Sequence, residues 1–169
     1  MLEPYRGQLP TIGAGAFIHH SATLIGRVKI GEGSSVWPHV SLRGDVGPIE
    51  IGAFTSVQDN TVGHTTNGVS ELYVGSRVTV GHSTILHGCR IADDCIIGMG
   101  AIVMDNAVIS DWTIVGAGAL VPPDKIFPPG VLLLGRPAKV ARILTAEDRD
   151  WITQSWKIYA GLAKDYNAG

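Results

Sequence analysis

The chain has 169 residues with a net charge of −2, 45% of them apolar, 7% aromatic and 17% charged. That length suits one domain with a sizeable core, and 17 Ile and 16 Val against 3 Phe favour many short strands over a helical bundle. The charge leaves no footprint for nucleic acid or an anionic membrane, and the positive mean hydropathy excludes a disordered chain.

Two cysteines without a CxxC pair exclude a disulfide scaffold. The N-terminus, MLEPYRGQLP, lacks the charged-then-apolar pattern of a secretory signal. No uninterrupted apolar stretch exceeds the length of Val131 to Leu134, far short of a membrane span. The expectation is a soluble, cytoplasmic chain.

Along the chain, aliphatic residues recur every sixth position at Ile12, Ile18, Leu24, Ile30, Val36 and Leu42, and again at Ile51 and Val57. They resume at Val74, Val80 and Leu86, then run through Ile91, Ile97, Val103, Ile109, Val115 and Val121. Four residues after most of them stands a small or β-branched residue, such as Ala22, Thr55, Thr84, Ala101 or Ala119. A strand too short to bury its own face turns a corner every six residues, and three strands complete a triangular coil. Such coils stack about 4.8 Å apart, with the aliphatic and the small residue both pointing into a narrow interior that excludes aromatics. In this pattern the sequence resembles the hexapeptide-repeat family, which implies a left-handed parallel β-helix over residues 11–121.

Two interruptions bulge from the coil. Leu42 to Ile51 spans nine residues in place of six, and an insertion around Thr65 to Tyr73 follows Gly63. The step from Leu86 to Ile91 is one residue short. After Val121 the Pro-rich stretch Pro122-Pro123 and Pro128-Pro129-Gly130 suggests a connection over residues 122–144. A helix over 145–166 follows, with Thr145 as N-cap and Asp148 closing a capping box. Its face Ile152, Trp156, Tyr159, Ala163 and Tyr166 would lie along the solenoid. All of this forms a single domain.

Repeat phase also places the histidines. His64 and His87 occupy the second slot of face three in adjacent coils, with Arg43 one coil earlier. His82 falls in the third slot of face two, with Asp59 directly below it. An edge of the prism separates His82 from the other pair, so the three meet only if solenoids pack side by side about a threefold axis. Asp59 then confronts Arg43 of the neighbour. Three imidazoles with an open fourth position suit catalytic Zn2+, and Fe2+ or Co2+ are also accommodated. His19, His20 and His39 have no such partners and read as surface residues, Trp37 and Pro38 as interface contacts, and Cys89 and Cys95 as inward-facing core thiols.

The strings Arg43-Gly44-Asp45, Val57-Gln58-Asp59-Asn60, His64, Val80-Gly81-His82 and Leu86-His87-Gly88-Cys89 look like the gamma-class carbonic anhydrases and their bacterial relatives. Gly135-Arg136-Pro137-Ala138-Lys139 and the aromatic C-terminal helix extend the resemblance over nearly the whole chain. It implies a homotrimer that hydrates CO2 to bicarbonate by a metal-bound hydroxide at three subunit interfaces. His64 and His87 of one chain and His82 of the next would be the ligands, Arg43 and Asp59 would bridge subunits, and Gln58 would orient the hydroxide. Tyr159 matches a helix Tyr near the site in several relatives. The archetype's two shuttle Glu positions are occupied here by Val46 and a short loop, which leaves Glu71 as the candidate shuttle. Two other readings stand beside this one. One is a hexapeptide-repeat acyltransferase, which needs a single His as base. The other is a metal-binding trimer with little or no turnover.

Overall fold

Strands of two residues stack in parallel, each too short to accumulate the twist of longer strands. The computed structural model describes residues 1–168, and in it the chain winds as a left-handed parallel β-solenoid of about seven coils with one C-terminal helix along it. Val36, Val57, Val80 and Ile97 stand in register on face two, and Leu42, Gly63, Leu86 and Val103 on face three. Two longer strands, Thr23–Ile30 and Ser41–Ile51, run around the corner from face three to face one and join those faces in one 12-stranded sheet. Face two forms a separate 8-stranded sheet.

The interior is filled as the sixth-position pattern requires. Leu24, Ile30, Leu42, Ile51, Leu86, Ile97 and Ile109 are fully buried, as are the small residues Ala22, Ala101 and Ala107. Hydroxyls among the small residues are satisfied by the neighbouring coil, for example Thr55 Oγ1 donating to the Gly75 carbonyl at 2.7 Å. Gly63 breaks the aliphatic column, and the two insertions repair it. They bring Ile49 and Leu72 inside, and the Leu42 and Leu72 side chains take the space a larger residue at position 63 would occupy.

Backbone hydrogen bonding explains the corners. Strand N–H groups donate forward to the following coil, as Gly52 N does to the Val74 carbonyl at 2.7 Å. At several corners a residue with positive φ turns its N–H back to the preceding coil. Asn60, Ser83 and Asn106 do so, reaching Pro38, Asp59 and Gly88 carbonyls at 3.0, 2.8 and 2.8 Å. Each such bond offsets part of the backbone penalty of the left-handed conformation.

The same directionality changes the reading of the Pro-rich stretch. It does not leave the solenoid at Val121: Ile126–Phe127 pairs with Val108–Ile109 and Leu132–Leu133 with Ile114–Val115. In this last coil a forward-pointing N–H has no coil to reach, so Pro122, Pro123, Pro128 and Pro129 sacrifice no ladder bond, and they blunt the exposed edge. An antiparallel hairpin, Val131–Gly135 with Ala138–Ile143, then closes that end.

The helix spans Ala146–Asn167, capped by Thr145 in a reciprocal box with Asp148. It buries Ile152, Ser155 and Ala163 against face two, where Ser155 Oγ meets Thr79 Oγ1 at 2.9 Å. Trp37, expected at a subunit interface, lies under this helix. Its ring packs edge-on to Tyr159 at 5.9 Å, and its Nε1–H donates to Ser35 and Ser56. A buried indole needs such a partner, and face two supplies it from two adjacent rungs. No helix among the described residues is long and apolar enough to cross a membrane.

Candidate metal centre

On face three the strands Val62–His64 and Ile85–His87 run in register, so His64 lies opposite His87 with ring centroids 5.4 Å apart. Arg43, one rung earlier, brings Nη2 to 3.4 Å from His64 Nδ1. His82 lies past the corner, where the Val57–Val80 register sets it over Asp59. Its Nδ1–H donates to Asp59 Oδ2 at 2.8 Å. The structure therefore forms two separate half-sites, and among the described residues no three His, Cys, Asp or Glu converge on one ion within the protomer.

Between the half-sites runs the outward slot of face three, Val62, Ile85, Ile102 and Leu120, all in register. Val62 and Ile85 are 43% and 40% exposed. Ile102 and Leu120 continue the stripe half-buried.

Two carboxylates beside the histidines escape a reading by repeat phase. His87 Nδ1–H donates to Asp105 Oδ2 at 3.1 Å. The same carboxylate accepts from Ser70 Oγ at 2.5 Å and Thr66 Oγ1 at 3.1 Å, which pins the inserted loop. Burial opposes the charge on Asp105, but these hydrogen bonds win and hold its carboxyl below the usual range. Asp45 behaves alike. Burial raises it, while hydrogen bonds from Arg43, His64 (3.0 Å) and the Val46 N–H lower it further. One signal for Asp105 was available. The short step after Leu86 shifts the count, and the Asn106–Gly88 backbone bond then sets Asp105 beside His87.

Gln58, only 4% exposed, precedes Asp59 on face two. Tyr159 approaches the same patch from the helix. Burial and then the charge of Asp59 hold its hydroxyl above the usual phenol range. Gln58, Asp59, His82 and Tyr159 thus share one half-site, while Arg43, Asp45, His64, His87 and Asp105 share the other. Within the protomer Arg43 forms an ion pair with Asp45. Glu71 belongs to neither half-site. It is exposed in a cleft of about 750 Å³ lined also by Arg27, Val46, Asn67, Gly88 and Arg90, a lining without any of the three histidines. Cys89 and Cys95 are buried free thiols pushed up to about 12 by desolvation, as inert core residues should be. His20 and His39 are exposed and His19 half-buried; the His19 and His20 rings lie 4.2 Å apart, and Ser21 Oγ contacts His19 Nδ1 and accepts the His39 backbone N–H.

Chemically, the carboxylates hold Nδ1 of His82 and His87 and leave each Nε2 free. That is how a neutral imidazole is oriented as a metal ligand.

A family model described as bacterial transferase hexapeptide (six repeats) matches residues 10–44. A carbonic anhydrase of Geobacillus kaustophilus is 46% identical over 148 residues, covering 88% of this chain and 81% of the relative. The mitochondrial gamma carbonic anhydrase 2 of Arabidopsis thaliana is 42% identical over 160 residues, or 92% of this chain, which spans 58% of that relative's length. Among solved structures, a hexapeptide transferase family protein from Anaplasma phagocytophilum superposes with a TM-score of 0.93 at 42% identity, covering 98% of both chains.

Proposed function

This chain belongs to the gamma-class carbonic anhydrase-like proteins of the hexapeptide-repeat family, and from that membership and the histidine geometry we propose a homotrimeric, metal-dependent carbonic anhydrase that reversibly hydrates CO2 to bicarbonate. The observation that carries this reading is the placement of two histidine half-sites on opposite edges of an exposed aliphatic face. Turned towards a threefold axis, that face seats His82 of one protomer beside His64 and His87 of the next. Zn2+ is the ion expected for three imidazoles, with Fe2+ or Co2+ as substitutes. Such an ion supplies a Lewis acid that brings the pKa of a coordinated water close to neutral.

The protein's own residues do the remaining work. Asp59 and Asp105 fix the tautomers of His82 and His87. In the assembly Arg43 exchanges its in-chain partner Asp45 for Asp59 of the partner subunit, locking the interface beside the histidines. Gln58, buried at the edge of this half-site, orients the attacking oxygen, and Tyr159 closes the helix side. Two buried free thiols suit the reducing cytoplasm. The acyltransferase alternative uses one histidine as base and leaves the carboxylate-held trio without a role.

Metal analysis and stopped-flow CO2 hydration test the proposal together. One metal per protomer is expected in the wild type and none in His82→Ala. Mixing His82→Ala with His64→Ala chains restores about a quarter of the sites if each site draws on two chains. Rates at the uncatalysed background in every buffer overturn the hydration claim.

A further inference from the structure

Hydration of CO2 by water yields bicarbonate and one proton, and that proton must leave the site in each cycle. Val46 offers no carboxylate for it, and Glu71, the one carboxylate of the short loop, lies in a cleft whose lining holds none of the three histidines. The structure places another titratable group, His20, on the face-two column that holds Asp59 and His82, with His19 beside it. The register Ile18, Val36, Val57, Val80 aligns His20, Pro38, Asp59 and His82 on successive coils, with His20 two rungs, about 10 Å, before Asp59. The His19 and His20 rings lie with centroids 4.2 Å apart, tilted by 36°. His19 Nδ1 lies 2.8 Å from Ser21 Oγ, which also accepts the His39 backbone N–H at 3.1 Å and so ties the two coils together. A hydroxyl can donate to a neutral ring or accept from a protonated one, so Ser21 serves both states. His20 and His39 are exposed and His19 is half-buried.

We propose that His19, His20 and His39 form the proton relay of this enzyme, carrying protons from the Asp59–His82 half-site to buffer. An imidazole nitrogen takes up the proton through bridging water, and exposed His20 or His39 then passes it to a buffer base, so each ring returns to its neutral form. Electrostatics fit the task. Burial, then the charges of His20 and His39, make His19 release its proton more readily than a free imidazole, while Asp59 pulls the other way. The facing groups are these two histidines and Asp59, with the Phe17 ring edge-on at 6.3 Å.

The relay rests on the carbonic anhydrase reading, and 18O exchange between CO2 and water at equilibrium separates the two. That measurement resolves CO2–bicarbonate interconversion from the proton-dependent release of labelled water. In low buffer at pH 7, His19→Gln/His20→Gln/His39→Gln should lose water release roughly tenfold or more, the loss falling on release and not on interconversion, with recovery on adding free imidazole. Interconversion with undiminished release in this variant overturns the relay alone. A wild-type trimer without any interconversion overturns the hydration reading and the relay with it. Independently of activity, proton NMR titration of the metal-free trimer should show the His19 midpoint below that of a free imidazole, rising in His20→Gln/His39→Gln. A midpoint unmoved by those changes shows uncoupled rings and overturns the cluster.

Discussion

At the scale of single residues, what repeat phase could reach was the set of positions that keep a constant step. His64, His82, His87, Arg43 and Asp59 were legible because each is a whole number of rungs from an aliphatic anchor. Asp45 was not, because it sits in the bulge after Leu42, and Asp105 was not, because its tie to His87 and to the inserted loop is a side-chain contact that a count of slots does not contain. Their importance is testable. Asp105→Asn replaces the acceptor-only carboxylate that fixes the His87 tautomer with an amide that can also donate, and metal affinity should fall about 10- to 100-fold in a chelator competition. The same carboxylates set an acid limit. Asp45 and Asp105 titrate lower in the folded protein than in the unfolded chain, whose carboxylates protonate near about 4. The stability they contribute is complete above that pH and is lost as pH falls through it towards the folded values. Denaturant midpoints from pH 6 to 3 should therefore drop for the wild type, and drop less steeply for Asp45→Asn/Asp105→Asn.

At the scale of elements, the coil is governed by how closely one backbone lies over the next. A Cβ added at Gly52 would stand 2.5 Å from the Gly75 carbonyl carbon, a contact with backbone that no rotamer relieves. Gly52→Ala should destabilise the solenoid by about 1–3 kcal/mol in chemical denaturation, the range for overpacking a tight interior. The helix was legible from Thr145, Asp148 and the spacing of Ile152 and Ala163, because capping and 3.6-residue periodicity are local. The Pro-rich segment was not. Proline reads as a breaker wherever an N–H is needed, and only the stacking order reveals that the last coil needs none. Trp37 shows the same limit: its slot points outward from the solenoid, yet the chain's own helix covers it.

At the scale of the whole molecule, function is proposed to belong to an assembly, with the aliphatic stripe of face three as its seam. Ile85→Glu puts a carboxylate into that stripe while leaving every histidine in place. Sedimentation should show the trimer shifting to monomer, and metal should be lost in parallel. Retention of a full metal complement by the monomer would contradict a shared site. The six-residue period of aliphatic and small residues determined the solenoid by itself, since only a triangular coil buries such a pattern. By the same arithmetic it determined which residues stack in columns. The tertiary structure alone decided which carboxylates hold which imidazoles, which indole the helix covers, and that the His19 and His20 rings lie beside the Ser21 hydroxyl that accepts the His39 backbone N–H. Those contacts depend on bulges, a shortened step and a packed helix, which displace residues in space without leaving a regular trace in the period.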